Sequence, residues 1–351
     1  MKLIHTADIH LGAQPDRGYP WSGEREEDIW ETFRRLIMAV REEKADFLLI
    51  AGDLFHRQPL LRQLKEVNYL FSTIPETTVV LMAGNHDYIK QGSYYPGFAW
   101  ESNVVGLWGE RCRRVSIPGK NTCVYGCSYH QREIRENLYA GVRPEGREAY
   151  HILLAHGGDA SHSPIDQKEL QKAGFTYTAL GHIHRPQILV PDRMAYSGAL
   201  EPIDRDDQGA HGYMRVICRG SSVHGEFVPF ASRSYLTLEL PVTEETTQFS
   251  LEEECRRKIR EAGEKNLFRL HLTGARDAGT EFSHGRLMQT GRVVDVRDDT
   301  RPAWDFRELS RTYAGTLIGE YVDSFAGQDS PLERKALYYG VEALLEARRE
   351  L

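Results

Sequence analysis

An α/β fold with a smaller second domain is predicted by three observations on the sequence. Residues 1 to about 200 alternate apolar runs with amphipathic helical patterns, which is typical of βα units around a largely buried sheet. Polar side chains that can bind metal follow five of these apolar runs. Near residue 230 the composition changes, no cluster of such side chains follows, and a shorter pattern of strands and helices begins. We therefore expect a first domain over residues 1–230, an α+β domain over 231–300 and a helical tail over 301–351.

Two helices of the first domain are predicted from apolar side chains three and four residues apart. The first runs from about Glu24 to Glu43, and the second begins at Pro59, a favourable first residue of a helix. We expect both helices to cover a face of the sheet. Their apolar faces consist of Ile29, Phe33, Leu36, Ile37 and Val40 in the first helix and Leu60, Leu64, Val67 and Phe71 in the second.

A long loop is predicted between Tyr88 and Gly109, where the regular patterns give way to Gly, Ser, Tyr, Pro and Trp. Long loops in compact domains often carry function. Its aromatic side chains have two interpretations: stacking on nucleic-acid bases, or pinning the loop to the domain, which is the commoner arrangement. These side chains are Tyr94, Tyr95, Phe98 and Trp100. The loop is a candidate for substrate contact only.

Beyond about residue 212 the sequence predicts a β-hairpin and then the α+β domain. The hairpin lies between Gly212 and Pro229 and turns at RGSS. The runs LTLELPV, LFRLHLTG and RVVDVRD predict further strands, and a helix between Ser250 and Gly263 is predicted to begin with a capping box of Ser250 and Glu253. Because residues 231–300 contain no cluster of ligand-type side chains, we expect this domain to shape or cover a site.

The tail is helical in pattern from about Trp304. One apolar stripe consists of Phe306, Leu309, Tyr313, Leu317 and Tyr321. A second helix is predicted to begin at Ser330, with Pro331 as its first residue and Glu333 completing a capping box. Its apolar face consists of Leu337, Val341, Leu344 and Leu345. Such a stripe either packs on the chain's own domain or docks against a partner helix or coiled coil.

Seven side chains of the ligand type stand at the predicted strand ends of the first domain. Two are Asp, one is Asn and four are His, which is too many nitrogen and oxygen donors for one ion. The set suits two octahedral or five-coordinate ions that share a carboxylate. The residues are Asp8, His10, Asp53, Asn85, His156, His182 and His184. The sequence therefore predicts a dinuclear metal site.

Phosphodiester hydrolysis needs a hydroxide, neutralisation of phosphoryl charge and a proton for the leaving oxygen, and two divalent ions supply the first two. Asp53 is the best bridging candidate because it lies between the other ligand groups in the chain. Chemistry alone places Asp8, His10 and one GHIH histidine on one ion, and Asn85, His156 and the other GHIH histidine on its neighbour. It does not decide which of the two histidines binds which ion. His86 is left to donate a proton or to stabilise the charged transition state.

Composition excludes few functions. The sequence has 44 Lys and Arg against 51 Asp and Glu, a formal net charge of −7, and no basic block of the kind found in nucleic-acid-binding tails. Charge therefore neither supports nor excludes a nucleic-acid substrate. The candidate phosphate contacts are Arg57, Arg62, Lys90 and Arg132.

The cysteines and the apolar runs predict the compartment. Five cysteines without CxxC or zinc spacing indicate free thiols in a reducing environment. No apolar run approaches the ~18 residues of a membrane span, and the chain does not open with a charged region followed by an apolar core. We expect a soluble, cytoplasmic protein with no membrane partner.

The order of the motifs resembles a known family. The pattern DxH, GD, GNH[DE], H and GHxH, met over residues 1–230, is that of the calcineurin-like metallophosphoesterases. The longer forms HTADIHLG, GDLFH and YSGALEPID resemble the branch of SbcD-type DNA double-strand-break repair nucleases.

This resemblance implies an αββα four-layer sandwich with a small α+β capping domain and a helical tail. It also implies two manganese ions, DNA exonuclease and endonuclease activity, a homodimer and an SMC-like ATPase partner of the SbcC type, held by the C-terminal helices. Carried over residue by residue, it assigns Asp8, His10, Asp53 and His184 to one ion, Asp53, Asn85, His156 and His182 to the other, His86 to the transition state and His56 to the substrate side.

Two other functions remain open at this point. A small-molecule phosphatase or cyclic-nucleotide phosphodiesterase would use the same dinuclear core, but it would not need the residues beyond 230. A scaffold that has lost the chemistry would not need the complete ligand set. A manganese-dependent DNA nuclease is therefore the favoured prediction.

Overall fold

The chain divides into two compact units. The computed structural model describes residues 1–328 and 330–349. The first unit consists of Met1–Leu236 and Lys265–Leu267, and the second of Thr237–Glu264 and Phe268–Leu351. The predicted α+β domain and the described part of the predicted tail both fall largely in the second unit, and their separation into two domains stays a prediction. Positions 329, 350 and 351 of the predicted tail lie outside the described residues.

Strands and α-helices are numbered in chain order. The strands are β1 (Lys2–Thr6), β2 (Phe47–Ala51), β3 (Thr78–Met82), β4 (Val104–Gly106), β5 (Arg113–Ile117), β6 (Thr122–Gly126), β7 (Tyr150–His156), β8 (Tyr177–Gly181), β9 (Gln187–Val190), β10 (Met194–Tyr196), β11 (Gly212–Arg219), β12 (Ser222–Pro229), β13 (Tyr235–Val242), β14 (Leu267–Arg276), β15 (Val293–Asp298) and β16 (Arg301–Pro302). The helices are α1 (Ser22–Glu42), α2 (Leu61–Ser72), α3 (Gln167–Ala173), α4 (Gln248–Ala262), α5 (His284–Leu287), α6 (Phe306–Thr312), α7 (Leu317–Ser324) and α8 (Pro331–Arg349).

Two six-stranded sheets form the centre of the first unit. The first sheet has the order β12-β11-β1-β2-β3-β4, and its strands β1 to β4 are parallel. The second has the order β5-β6-β7-β8-β10-β9, with a parallel centre of β6, β7, β8 and β10. Because parallel neighbours end at the same edge of a sheet, the loops after β1, β2, β3, β7 and β8 are brought to the edges where α/β proteins build sites.

The two sheets pack face to face, with helices outside. Successive side chains of a strand point to opposite faces. Leu48 and Ile50 of β2 therefore join the core under α1 and α2, whereas Phe47 and Leu49 join the core between the sheets. The outer face of the second sheet is covered in part by α3, through Leu170. The predicted four-layer αββα sandwich is confirmed.

Two predicted helix starts were wrong by two residues. The second helix begins at Leu61 and not at Pro59, because the Gln63 side chain accepts the backbone N–H of Leu60 at 2.9 Å. The fourth helix begins after Thr247 and not at a Ser250–Glu253 box, because Thr247 and Ser250 cap each other reciprocally over 3.0 and 3.1 Å. In both helices, a side chain a few residues away in sequence from the expected capping residue accepts a free backbone N–H at the start of the helix.

The predicted loop between Tyr88 and Gly109 is interrupted by strand β4 (Val104–Gly106), and the part before β4 is pinned by its aromatic side chains. Tyr95 is fully buried, and Phe98 and Trp100 pack against the core under α1 and α2. The Tyr95 hydroxyl donates to the Asp87 carboxylate at 2.6 Å. Base stacking is therefore excluded for Tyr95, while Tyr94 stays 53% exposed. Pinning of the loop to the domain, the commoner interpretation, therefore holds for Tyr95, Phe98 and Trp100.

In the second unit a small sheet has the order β13-β14-β15, and β16 also pairs with β14. The predicted first tail helix is broken into α6 and α7, because Gly315 adopts a left-handed φ of +73° and Thr316 is extended. The second tail helix begins as predicted, with Ser330 and Glu333 forming the capping box.

The apolar stripe of α8 is partly buried. Val341 has no exposed surface, and Leu337, Leu344 and Leu345 are half-buried. The tail helices also bond one another, since the Tyr321 hydroxyl donates to the Ala336 carbonyl at 2.8 Å. The predicted stripe is therefore not a free docking face as a whole. In the described part of the chain, no helix is both long and apolar enough to cross a membrane.

Candidate dinuclear metal centre

The seven predicted ligand side chains meet at the ends of parallel strands from both sheets. Asp8 and His10 follow β1, Asp53 follows β2, and Asn85 follows β3 in the first sheet. His156 is the last residue of β7 in the second sheet. The GHIH histidines, His182 and His184, follow β8. The structure thus brings together residues up to 176 positions apart in the chain.

One group of donors consists of Asp8, His10 and His184, with one potential ligand atom of each within 4.8 Å of the others. The Nε2 atoms of His10 and His184 are 3.1 Å apart. The Asp53 Oδ2 lies 3.9 Å from His10 Nε2. His10 and Asp8 are fully buried, whereas His184 is partly exposed.

A second group of donors surrounds Asn85. The Asn85 Oδ1 lies 2.9 Å from His156 Nε2 and 3.1 Å from His182 Nδ1. The same Nε2 of His156 is 3.5 Å from Asp53 Oδ2. Asp53 therefore faces both groups with one carboxylate, as the sequence predicts for a bridging residue.

Four of these residues have left-handed backbone conformations. Their φ angles are +50° at Asp8, +54° at His10, +51° at Asp53 and +95° at His182. Such a conformation is unfavourable for a side chain other than glycine, costs about 1 to 3 kcal/mol per residue, and concentrates at functional sites. The fold therefore holds these donors in positions that an unstrained loop would not give.

Glycines in the GD, GNHD and GHIH motifs permit the close approach of the donors. A Cβ atom at Gly84 would overlap the Asp53 carboxylate, and one at Gly52 would overlap the His156 ring. A Cβ at Gly181 would overlap the Ala51 carbonyl. A side chain at any of these three glycines would therefore overlap a group at the end of another strand.

In three of the histidines, the ring nitrogen that points away from the other donors lies close to a hydrogen-bond acceptor. His156 Nδ1 lies 2.8 Å from the Ala51 carbonyl oxygen. His182 Nε2 lies 2.7 Å from Asp159 Oδ2, and His184 Nδ1 lies 3.1 Å from Asp207 Oδ2. In the neutral ring, an N–H directed at each acceptor leaves the other nitrogen unprotonated and facing the donors, as metal binding requires.

Asp159 and Asp207 were missed by the sequence reasoning. Asp159 stands three residues after His156, in the same strand-end loop, and this short spacing is a usable signal. Asp207 lies in the polar segment RDDQGAHG that follows YSGALEPID, and its acidic character is the only signal that the sequence offers.

Burial and charge set the protonation states of the centre. Burial alone would raise the pKa of Asp53, but the charge and hydrogen bond of His156 and the charge of His10 hold it below its usual range. Burial lowers the pKa of His10 well below its usual value, and burial with the charge of His156 lowers the pKa of His182 to about 4. Burial alone would lower the pKa of His156 and of His184, but Asp53 raises the pKa of His156 to about 9, and Asp207 with Asp8 raises the pKa of His184 to about 9. Binding of divalent ions therefore displaces protons from these two rings, because a ligating imidazole is neutral.

The donor set fits two cations. Asp8 and Asp53 are buried, and within the described residues the close charged neighbours of both carboxylates are histidines rather than lysine or arginine. Two buried carboxylates without a permanent cation would be costly. Seven nitrogen and oxygen donors in two groups that share Asp53 match borderline divalent metals.

His86 and His56 lie beside this centre. Their rings are stacked with centroids 5.0 Å apart, and the His86 ring is 4.7 Å from that of His10. His86 Nδ1 lies 3.2 Å from the His56 carbonyl, and its backbone N–H donates to Asp53 Oδ1 at 2.8 Å. Both rings are partly exposed, so the structure brings these two predicted residues to the open side of the site.

Asp87 ties the GNHD turn to its surroundings. Its carboxylate accepts hydrogen bonds from the backbone N–H groups of Gly84 and Phe55 and from the Tyr95 hydroxyl, at 2.8, 3.1 and 2.6 Å. Burial and the charge of Asp53 raise the pKa of Asp87 to about 7. Asp87 thus links the 88–109 loop to the strand ends after β2 and β3.

Comparison with known proteins places this geometry in a family context. Residues 1–186 match the calcineurin-like phosphoesterase family, and all seven ligand-type residues fall within that stretch. The chain is 30% identical over 298 residues to the uncharacterized metallophosphoesterase YhaO of Bacillus subtilis (strain 168), with 78% of this chain and 72% of YhaO covered.

Several relatives are named DNA double-strand break repair protein Mre11. The one from Methanocaldococcus jannaschii is 32% identical over 222 residues, with 59% of this chain and 58% of that protein covered. The one from Methanopyrus kandleri is 29% identical over 353 residues, with 89% and 76% covered. The chain thus spans less than two thirds of the first of these proteins and three quarters of the second.

Proposed function

Because this chain belongs to the calcineurin-like phosphoesterase family, we propose that it is a manganese-dependent DNA nuclease that cleaves phosphodiester bonds at a dinuclear centre. Family membership makes it a metal-dependent phosphoesterase that acts with divalent ions. The observation that carries the proposal is the carboxylate of Asp53 between two groups of donors, 3.9 Å from His10 and 3.5 Å from His156.

The proposal assigns every donor to one of two ions. Asp53 is shared; Asp8, His10 and His184 hold one ion, and Asn85, His156 and His182 hold the other. When bound, two divalent ions neutralise charge on the phosphoryl oxygens and make water a nucleophile at neutral pH. The chain's own part is to fix the donors rigidly, through strained backbone and the acceptors behind the imidazole rings.

His86 is assigned to the leaving oxygen and the transition-state charge. Its Nδ1 lies near the His56 carbonyl, so a proton on Nδ1 is held by that oxygen and Nε2 is available at the partly exposed side. In its protonated form, which carries a proton on Nε2 as well, a histidine so placed can donate that proton to the leaving oxygen or stabilise negative charge. His56, whose ring stacks on His86, is assigned to substrate contact on the same side.

Manganese is the proposed metal because the donor set is mixed. Imidazole nitrogen and amide oxygen accompany two carboxylates, whereas magnesium prefers oxygen ligands and keeps several waters. The four histidines of the centre therefore favour manganese over magnesium.

DNA as substrate, both as exonuclease and as endonuclease, is supported by the Mre11 relatives and by the second unit, which a phosphatase for small molecules does not need. By the same resemblance we propose a homodimer and an SMC-like ATPase partner. A cytoplasmic location is supported by the five cysteines, all of which are free thiols.

The proposal is tested by incubating the metal-stripped chain with end-labelled double- and single-stranded DNA, in manganese and separately in magnesium. We expect cleavage of DNA that requires added metal and is stronger with manganese. Asp53→Asn serves as the inactive control. Hydrolysis of a phosphomonoester or a cyclic nucleotide without DNA cleavage would replace the proposal with the small-molecule alternative.

A further inference from the structure

The two GHIH histidines have opposite ring nitrogens directed at the donors. His182 presents Nδ1 to Asn85 at 3.1 Å, whereas His184 presents Nε2 to His10 at 3.1 Å. Because a neutral imidazole carries one proton, the two rings need opposite tautomers to bind metal. The group that faces the outer nitrogen of each of these two rings is a carboxylate from another segment of the chain.

The carboxylates of Asp159 and Asp207 select these tautomers. Asp159 Oδ2 lies 2.7 Å from Nε2 of His182. Asp207 Oδ2 lies 3.1 Å and Oδ1 3.2 Å from Nδ1 of His184. An ionised carboxylate is an acceptor only, so each holds the proton on the nitrogen that it faces.

Asp159 is itself held in place. Its Oδ1 accepts the backbone N–H groups of Ser161 and His162 at 2.7 and 3.0 Å, and the His162 ring contacts its carboxylate at 2.9 Å. The turn closes with the Gly158 N–H donating to the His162 carbonyl at 2.9 Å. The orientation of this carboxylate is therefore set before any ligand arrives.

Asp207 is held in the same manner by a different loop. Its Oδ2 accepts the backbone N–H groups of Ile203 and Asp204 at 3.0 and 3.1 Å. The side chain of Asp207 is 12% exposed, and that of Asp159 is 48% exposed. The two carboxylates thus come from separate loops, differ in solvent access and share no contact that would make them act together.

We propose that Asp159 and Asp207 are positioning residues that control the two metal sites separately, Asp159 through His182 and Asp207 through His184. This inference rests on the dinuclear centre of the proposed function. An acceptor behind a metal-binding imidazole is worth about 10- to 100-fold in metal affinity. Removing either carboxylate weakens the binding of one ion and leaves the other ion bound.

The test is calorimetric titration of the metal-stripped full chain with Mn²⁺, together with electron paramagnetic resonance of the loaded protein. For Asp207→Asn we expect one binding step weakened about 10- to 100-fold, with an isotherm like that of His10→Ala. For Asp159→Asn we expect the other step weakened, with an isotherm like that of Asn85→Ala. The coupled manganese-pair signal should give way to a mononuclear signal in each.

Two charge-matched controls accompany these variants. Asp204→Asn removes a neighbouring exposed carboxylate on the Asp207 loop, and Glu136→Gln removes one from the loop that pairs with the Asp159 turn through Ile134. Neither residue contacts a ligand-type histidine in the described structure, and both controls should bind two ions as the unmodified chain does. A weakened step in either control would make the effect one of general charge and overturn the assignment.

Other outcomes would also overturn the proposal. They are two undisturbed steps in both aspartate variants, loss of the same step in both, or a lower melting temperature of the metal-free variants, which would make the carboxylates structural. A third step lost in Asp159→Asn and His162→Ala would mean that Asp159, His162 and His182 hold a cation of their own. The titration needs no DNA, so a chain that binds two ions but cleaves no DNA fails the nuclease proposal and not this one.

Discussion

At the scale of single residues, the centre is built from positions that most side chains would avoid. Asp8, His10 and Asp53 have left-handed backbone, and the glycines beside them leave room for groups from other strand ends. Strain of this kind persists only where the surrounding structure determines it strongly. The positions that support the donors therefore tolerate as few different side chains as the donor positions themselves.

Replacing Gly84 by alanine tests this packing. The added Cβ would overlap Asp53 Oδ1, so either the carboxylate or the GNHD turn must move. Overpacking of this kind costs about 1 to 3 kcal/mol, and we expect Gly84→Ala to lower both the melting temperature and the manganese content. Gly97→Ala is the matched control, because its Cβ would meet nothing within 4 Å. Equal behaviour of the two variants in thermal melting and metal analysis would refute the close approach.

Replacing His86 separates chemistry from metal binding. If His86 acts on the leaving oxygen, His86→Gln should slow DNA hydrolysis by roughly 10²- to 10⁴-fold, the scale of a general acid. Both ions should remain, because the backbone N–H of residue 86 still supports Asp53. His224→Gln, on an exposed histidine of the β11–β12 hairpin, serves as control. Loss of metal from His86→Gln would instead identify His86 as a ligand, in the group that it forms with His10 and His56.

At the scale of elements, the parallel strands assemble the site. Each of β1, β2, β3, β7 and β8 ends at a residue or turn with a donor, and the alternation of side chains buries both faces of the strands. The pattern of apolar runs followed by Asp, Asn or His was sufficient to predict this from the sequence, because it depends on neighbours along the chain.

Contacts with distant partners and choices between competing local side chains were not predictable in this way. Asp159 and Asp207 each reach a histidine 23 residues away in the chain. The spacing of Asp159 after His156 and the acidic segment around Asp207 mark the two residues, but neither signal identifies the histidine that each one contacts. The helix starts at Leu61 and Gln248 depended on which of several nearby polar side chains took the cap. The break between α6 and α7 depended on a left-handed glycine within an unbroken apolar stripe.

The tail helix α8 presents two different apolar faces. Val341 is buried, so Val341→Asp would place an unpaired carboxylate inside and should cost about 3 to 5 kcal/mol, read as a lower melting temperature. Leu332 and Tyr339, seven residues apart on one face, are 77% and 52% exposed. Leu332→Glu with Tyr339→Glu should leave the melting temperature unchanged and abolish co-purification with the proposed SMC-like ATPase. Unchanged co-purification would exclude this face of α8 from the partner contact.

At the scale of the whole molecule, the charge balance limits how DNA can be held. A net charge of −7 offers few phosphate contacts, and the candidate residues Arg57, Arg62, Lys90 and Arg132 are all exposed. Each phosphate contact contributes about −0.9 to the slope of log K against log salt, so binding through a few such contacts is weak and falls moderately as salt rises. If DNA is the substrate, as proposed, we expect affinity for it to come mainly from the metal centre and from the proposed ATPase partner.

The central claim is that one carboxylate, Asp53, joins two ions into a single phosphodiesterase centre. It is tested most directly by elemental analysis of the manganese-loaded chain and of Asp53→Asn, with DNA cleavage measured on the same samples. We expect two manganese ions per unmodified chain and metal-dependent cleavage, and loss of both ions and of cleavage in Asp53→Asn. One ion or none in the fully loaded unmodified chain, or two ions retained by Asp53→Asn, would contradict the claim.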